Sequence, residues 1–174
     1  MINLSKEIYW QWPENLDLYY SMVLGYHLTS VIELFTLRKT NDFYEMSAHH
    51  CATVFLLCFS WFCNLSNYGL LVAYLHDFCD IGAALVKFTI ETTYSNLAGL
   101  LFVNLMALWF YMRIYVLMDI IYHIKVYGHP DYRNSLLFNF FSAFLTCLWI
   151  LHAYWFCLFC KMLKKFVSTG DTTD

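Results

Sequence analysis

Adjacent histidines at positions 49 and 50 and an HDFCD run holding His76, Asp77 and Asp80 are the residues whose types and spacing suit chemistry. The stretch between them, from Met46 to Asp80, is otherwise too apolar to be water-soluble. Ionisable groups in lipid-facing helices are costly unless they pair or work, so such a cluster marks a functional site by default. On a helix, Asp80 lies three residues after Asp77 and four after His76, and shares a face with both. His49 and His50 point about 100° apart, so one imidazole can act on a substrate while the other is held structurally. A histidine beside a carboxylate has its tautomer fixed and its basicity raised, which suits general-base or nucleophilic work on an acyl group. Two histidines with two carboxylates would also serve zinc. A di-iron oxygenase would be expected to carry HxxxH boxes, and the sequence has none. A lone membrane histidine is most often a packing residue; three histidines and two aspartates across one hairpin weaken that explanation.

The elements that must position these groups are apolar helices. The chain of 174 residues is 60% hydrophobic, 21% aromatic and 13% charged, with a mean hydropathy of +0.51. That composition lies outside the soluble range and points to a polytopic membrane protein. Two prolines, six glycines and no ten-residue alternating strands favour helices over a barrel. With a net charge of -3 and no basic run interleaved with aromatics, nucleic-acid binding is excluded as a reading. The seven cysteines lie almost wholly in apolar segments, where they pack as small hydrophobes; Cys157 and Cys160 form a lone CxxC without a second pair.

Five spans of roughly 20 residues are expected. The first runs from about Leu18 to Leu37 and carries His27 and Glu33; the second runs from the paired histidines to about Cys63. After the turn-rich NLSNYG, a third runs from Leu70 to about Ile90, interrupted by HDFCD and carrying Lys87. The fourth, Leu97 to Ile121, holds Arg113, and the fifth, Leu136 to Cys160, holds His152 and Trp155 before KMLKK stops it. Residues 1–17, with the WQW cluster, read as an interfacial segment, 18–165 as the membrane domain and 166–174 as a disordered tail. Arg38, Lys39, Lys161, Lys164 and Lys165 gather on the C-terminal side, which the positive-inside rule places in the cytosol. A short turn near Asn64 to Tyr68 makes the second and third spans antiparallel neighbours, so that the paired histidines and HDFCD are expected to meet.

The ordered set of HHCAT, FSWFCN, GLLV and LHDFCD, with DFYE before the histidines, resembles the TLC-domain family and, within it, the longevity-assurance branch of ceramide synthases. Weaker similarity covers Tyr19 and Tyr20, Arg113 and the LHAYW run around His152, so that the resemblance extends from about Asp17 to Lys165. The family pattern differs where this chain has Asn67 before the glycine and Ala84 after HDFCD, while Lys87 is kept. The resemblance implies an all-α barrel of membrane helices around a lipid tunnel, in the endoplasmic reticulum. It implies transfer of a fatty acyl chain from acyl-CoA to the amine of a sphingoid long-chain base. His49, His50, Asp77 and Asp80 are then the expected catalytic set, and His76, Asn64, Arg113, Lys87, His152 and Trp155 the expected substrate-binding set. No metal and no cofactor is expected, acyl-CoA serving as co-substrate; membrane lipids and a homo- or heterodimer are compatible partners. The alternatives are a non-catalytic TLC-domain protein that binds lipid or affects membrane composition, and a metal-dependent lipid hydrolase.

Overall fold

The structure, a computed structural model, describes residues 15–37, 42–63, 65–90, 95–127 and 136–169. The WQW cluster, Asn64, the GHPD turn and residues 170–174 fall outside the described residues. Each expected span corresponds to a helical run, and no strand occurs among the described residues. The elements are α1 (Leu16–Thr36), α2 (Phe43–Phe62), α3 (Ser66–Ile90), α4 (Ser95–Trp109), a π-helical segment (Phe110–Val116), α5 (Leu117–Tyr127) and α6 (Leu136–Thr169). Hydroxyl residues are accommodated within these apolar helices by donating back to a carbonyl one turn earlier. Thr29 donates to Gly25 O at 2.9 Å, Thr89 to Leu85 O at 2.7 Å and Thr146 to Ser142 O at 2.7 Å.

Among the described residues, three helical runs are long and apolar enough to cross a membrane: Ser66–Ile90, Leu97–Val126 and Leu136–Ser168. At 1.5 Å per residue the 25 residues of the first rise about 37 Å, enough for a hydrocarbon core of roughly 30 Å. The 21-residue α1 and the 20-residue α2 are shorter and carry ionisable positions of their own, among them Glu33 in α1 and both Glu45 and the paired histidines in α2.

Several boundaries depart from the sequence expectation. The NLSNYG turn is shorter than expected, because Ser66, Asn67, Tyr68 and Gly69 already belong to α3. Leu65 makes this possible: its carbonyl accepts from the N–H of both Tyr68 and Gly69, at 3.0 and 3.1 Å, opening α3. Its own N–H reaches back to Ser60 O at 2.7 Å, the 6→1 bond that closes many helices. HDFCD does not interrupt α3, since its polar side chains leave the backbone ladder intact. The lysines near residue 161 do not end α6, which continues through Phe166 to Thr169. Lysine is a good helix former, and its long stem lets the ammonium reach water from a continuing helix.

The chain divides into two compact units, Met1–Val54 and Phe55–Asp174. In the first, α1 buries Tyr20, Val23 and His27 at helical spacing, and Phe35 meets Phe43 edge-on at 5.7 Å between ring centroids. In the second, α3 packs on α4 and on the π-helical segment, and α6 packs on α4, the π-helical segment and α5. The last turns of α2 lie against α6 through stacked Phe55–Phe144 and Phe59–Phe141 rings. Gly82 sets the approach of α3 to α4, because a Cβ there would lie 3.2 Å from a Leu105 methyl and 3.8 Å from Leu108. Gly82→Val is therefore expected to lower stability by about 1–3 kcal/mol through overpacking, read as an earlier thermal transition in detergent.

Candidate active site

The second unit brings its buried histidines and arginine together at the middle of α3, where apolar neighbours leave few partners and each one found is informative. His76 is 1% exposed and His152, on α6, is 0% exposed. The His76 Nδ1 lies 2.6 Å from the Val72 carbonyl. A carbonyl only accepts, so Nδ1 carries the proton and Nε2 of a neutral His76 is left as an acceptor. That Nε2 is 2.7 Å from His152 Nε2, so His152 donates. The pair is thus an imidazole–imidazole hydrogen bond across two helices; once one ring is protonated, the shared proton can lie on either nitrogen.

Arg113 is the buried cation of the π-helical segment, 2% exposed. Its Nη2 donates to the His76 carbonyl at 2.6 Å and to Asp80 Oδ1 at 2.5 Å. Its guanidinium lies over the Trp109 ring, 4.0 Å from the centroid, a cation–π contact. The Trp109 indole N–H in turn donates to the His152 carbonyl at 3.2 Å. His76, His152, Trp109 and Arg113 therefore close a ring of contacts across α3, α6 and the α4–π junction. The π-helical segment is fixed to α6 by a further bond, from Trp149 Nε1 to Ile114 O at 3.0 Å. A π-helical turn widens the helix and re-aims its side chains, and such turns are frequent at functional sites.

The structure brings together His76, Asp80, Arg113, His152 and Trp155 of the expected set, Trp155 lying 5.7 Å from the His152 ring between centroids. Asp77 is half-buried one residue beyond His76. The Asp80 carboxylate is held by Arg113. Lys87 is exposed, and seven residues along α3 place it roughly 10 Å from Asp80. Asn64 lies outside the described residues. His49 and His50 belong to the first unit, on α2. His49 is buried and His50 half-buried, with ring centroids 5.3 Å apart and planes tilted by 59°, so the two imidazoles face different directions as their adjacency requires. Thr53 donates to the His49 carbonyl at 2.9 Å. Sequence reasoning missed Trp109; the available signal was its position four residues before the lone cation of the span, a spacing at which an aromatic face and a guanidinium meet.

His76 and His152 are also the metal-capable donors of this cluster. A zinc site takes three or four protein ligands, so within the second unit the pair would need further donors.

A TLC domain matches residues 2–161. The chain belongs to the TLC-domain family. This TLC domain is 30% identical over 169 residues to human ceramide synthase 4, covering 97% of this chain and 41% of that protein. It is 34% identical over 165 residues to mouse ceramide synthase 4, covering 92% and 42%. It is 28% identical over 168 residues to ceramide synthase 1 LOH3 of Arabidopsis thaliana, covering 88% and 54%. The chain thus spans about two fifths of the length of the mammalian relatives it matches and about half of the plant one. No solved structure matches the chain.

Proposed function

We propose that this TLC domain carries out ceramide synthesis: N-acylation of a sphingoid long-chain base by fatty acyl-CoA within the endoplasmic reticulum membrane. The observation that carries the reading is the buried imidazole pair braced by Arg113 inside apolar helices, in a domain similar to ceramide synthases over nearly its whole length. Both substrates have long apolar tails, so helices enclosing a lipid tunnel suit them, with all five helical runs contributing and the C-terminus in the cytosol where acyl-CoA arrives. A homo- or heterodimer is compatible with this arrangement.

In the reaction the amine nitrogen bonds to the thioester carbonyl carbon, the carbon–sulfur bond breaks, and CoA leaves as a thiolate. The amine loses a proton, which an imidazole accepts and the thiolate finally receives. His49 or His50 serves as base toward the amine in that step, or as nucleophile, in which case an imidazole nitrogen first takes the acyl group as the thiolate leaves and the amine then displaces the imidazole, with Asp77 or Asp80 holding charge in place. The His76–His152 pair offers a further imidazole nitrogen that can take up a proton. General-base assistance of this kind contributes about 10²–10⁴-fold.

Release of CoA thiol from purified protein in lipid tests the proposal. The expected result is release that depends on added long-chain base. Base-independent release would point to a hydrolase, and no release from folded protein to a lipid-binding role. The two metal-capable imidazoles favour, as a second reading, a metal-dependent lipid hydrolase. Acyl transfer by imidazoles predicts that base-dependent release survives dialysis against a chelator within twofold or so; loss of release restored by zinc would support the metal reading.

A further inference from the structure

Trp109 is 5% exposed, at the last position of α4 before the π-helical segment. Two of its surfaces are committed to the groups around the imidazole pair. Its N–H holds the His152 backbone at 3.2 Å, and its face carries the Arg113 guanidinium, which binds the His76 backbone at 2.6 Å. The indole edge also meets the His152 ring at 5.5 Å and the Phe159 ring at 4.9 Å between centroids, both near perpendicular. One side chain therefore touches the support of both imidazoles while standing outside their hydrogen bond.

We propose that Trp109 is a positioning residue for acyl transfer: through the His152 carbonyl and the Arg113 guanidinium it sets the separation at which His76 and His152 share a proton. The proposal rests on the acyl-transfer reading for its kinetic consequence, but not for its structural one. A nitrogen–nitrogen distance of 2.7 Å lies at the short end of the hydrogen-bond range, and a shift of a few tenths of an ångström on either helix weakens it. A tryptophan that only fills space would be replaced by phenylalanine with a loss of stability and no change at the imidazoles. A tryptophan that positions them would transmit the loss of its N–H to the pair.

The test uses Trp109→Phe, which keeps an aromatic face under Arg113 and removes the N–H donor, in the full chain labelled with ¹⁵N-histidine and reconstituted in lipid. In the unmutated protein the Nε2–H···Nε2 bond is expected to give a through-hydrogen-bond ¹⁵N–¹⁵N coupling, which Trp109→Phe weakens or abolishes. In the acyl-transfer assay the same substitution is expected to lower kcat about tenfold, as loss of a group supporting a site residue does, with KM for acyl-CoA changed less than about twofold. Adding Trp109→Phe to His152→Ala is expected to cause no further loss, because both act through one imidazole. An unchanged coupling in Trp109→Phe, or losses that multiply in the double variant, would overturn the proposal. If the unmutated chain shows the coupling but transfers no acyl group, the functional reading fails while the coupling experiment still decides the positioning role.

Discussion

Replacing His49 and His50 together by alanine is expected to reduce ceramide formation by about 10²–10⁴-fold, the usual contribution of a positioned acid–base group, while the protein still folds. An alanine in the interior of α2 keeps the helix, since alanine has the highest helix propensity, and both positions lie inside Phe43–Phe62. The single variants carry further information. The two rings are tilted by 59° and face different directions, so they cannot both present a nitrogen to one reacting atom in the same way. One single variant is therefore expected to lose nearly as much as the double variant, and the other much less. Comparable partial losses in both would mean that neither imidazole acts at the reacting carbon. Rates are to be compared per folded molecule, with the far-ultraviolet circular dichroism of each variant confirming the same helix content.

The second large effect is expected at Arg113. Arg113→Ala removes the donor to the His76 carbonyl, leaves the Asp80 carboxylate without its cation and empties the face of Trp109. Breaking a fully buried ion pair costs about 3–5 kcal/mol. Asp80 is 43% exposed, against 2% for Arg113, so water can rehydrate the freed carboxylate. A loss of about 2–3 kcal/mol is expected after that discount. Arg113→Lys keeps the charge but lacks the planar fork that binds two acceptors and stacks on an indole, and is expected to restore only part of the loss. Asp80→Asn in the Arg113→Ala background should recover stability, because the uncompensated charge is gone. Thermal unfolding in one fixed detergent measures all three, and equal transitions for Arg113→Ala and the unmutated protein would contradict the account of the cluster.

The helices were legible in the sequence because apolar runs of sufficient length, with Pro13 and Pro130 both outside the described runs, leave the backbone little alternative in lipid. The boundaries were less so. Ser66, Asn67 and Gly69 have turn chemistry as residue types, yet the Leu65 carbonyl captures the first amides of α3 and makes them a helix start. The HDFCD polarity likewise looked like an interruption, but a helix tolerates polar side chains wherever they find partners, as Asp80 does in Arg113. Arg113 and His152 were anticipated as site residues through the family resemblance alone. Their connection was not, because it depends on the π-helical segment, which shifts the register of Phe110–Val116 and leaves no mark in the 3.6-residue periodicity. Trp109 was hidden for a related reason: in a chain with six tryptophans, 14 tyrosines and 16 phenylalanines, an aromatic residue that supports a site has the same composition signal as one that faces lipid.

Mass spectrometry of the lipid product tests the central claim most directly. Purified protein in lipid is given isotope-labelled fatty acyl-CoA and an unlabelled long-chain base, beside the His49→Ala/His50→Ala variant. The account predicts labelled ceramide from the unmutated chain and at most traces from the variant. Labelled free fatty acid without ceramide, or equal ceramide from both proteins, would contradict it.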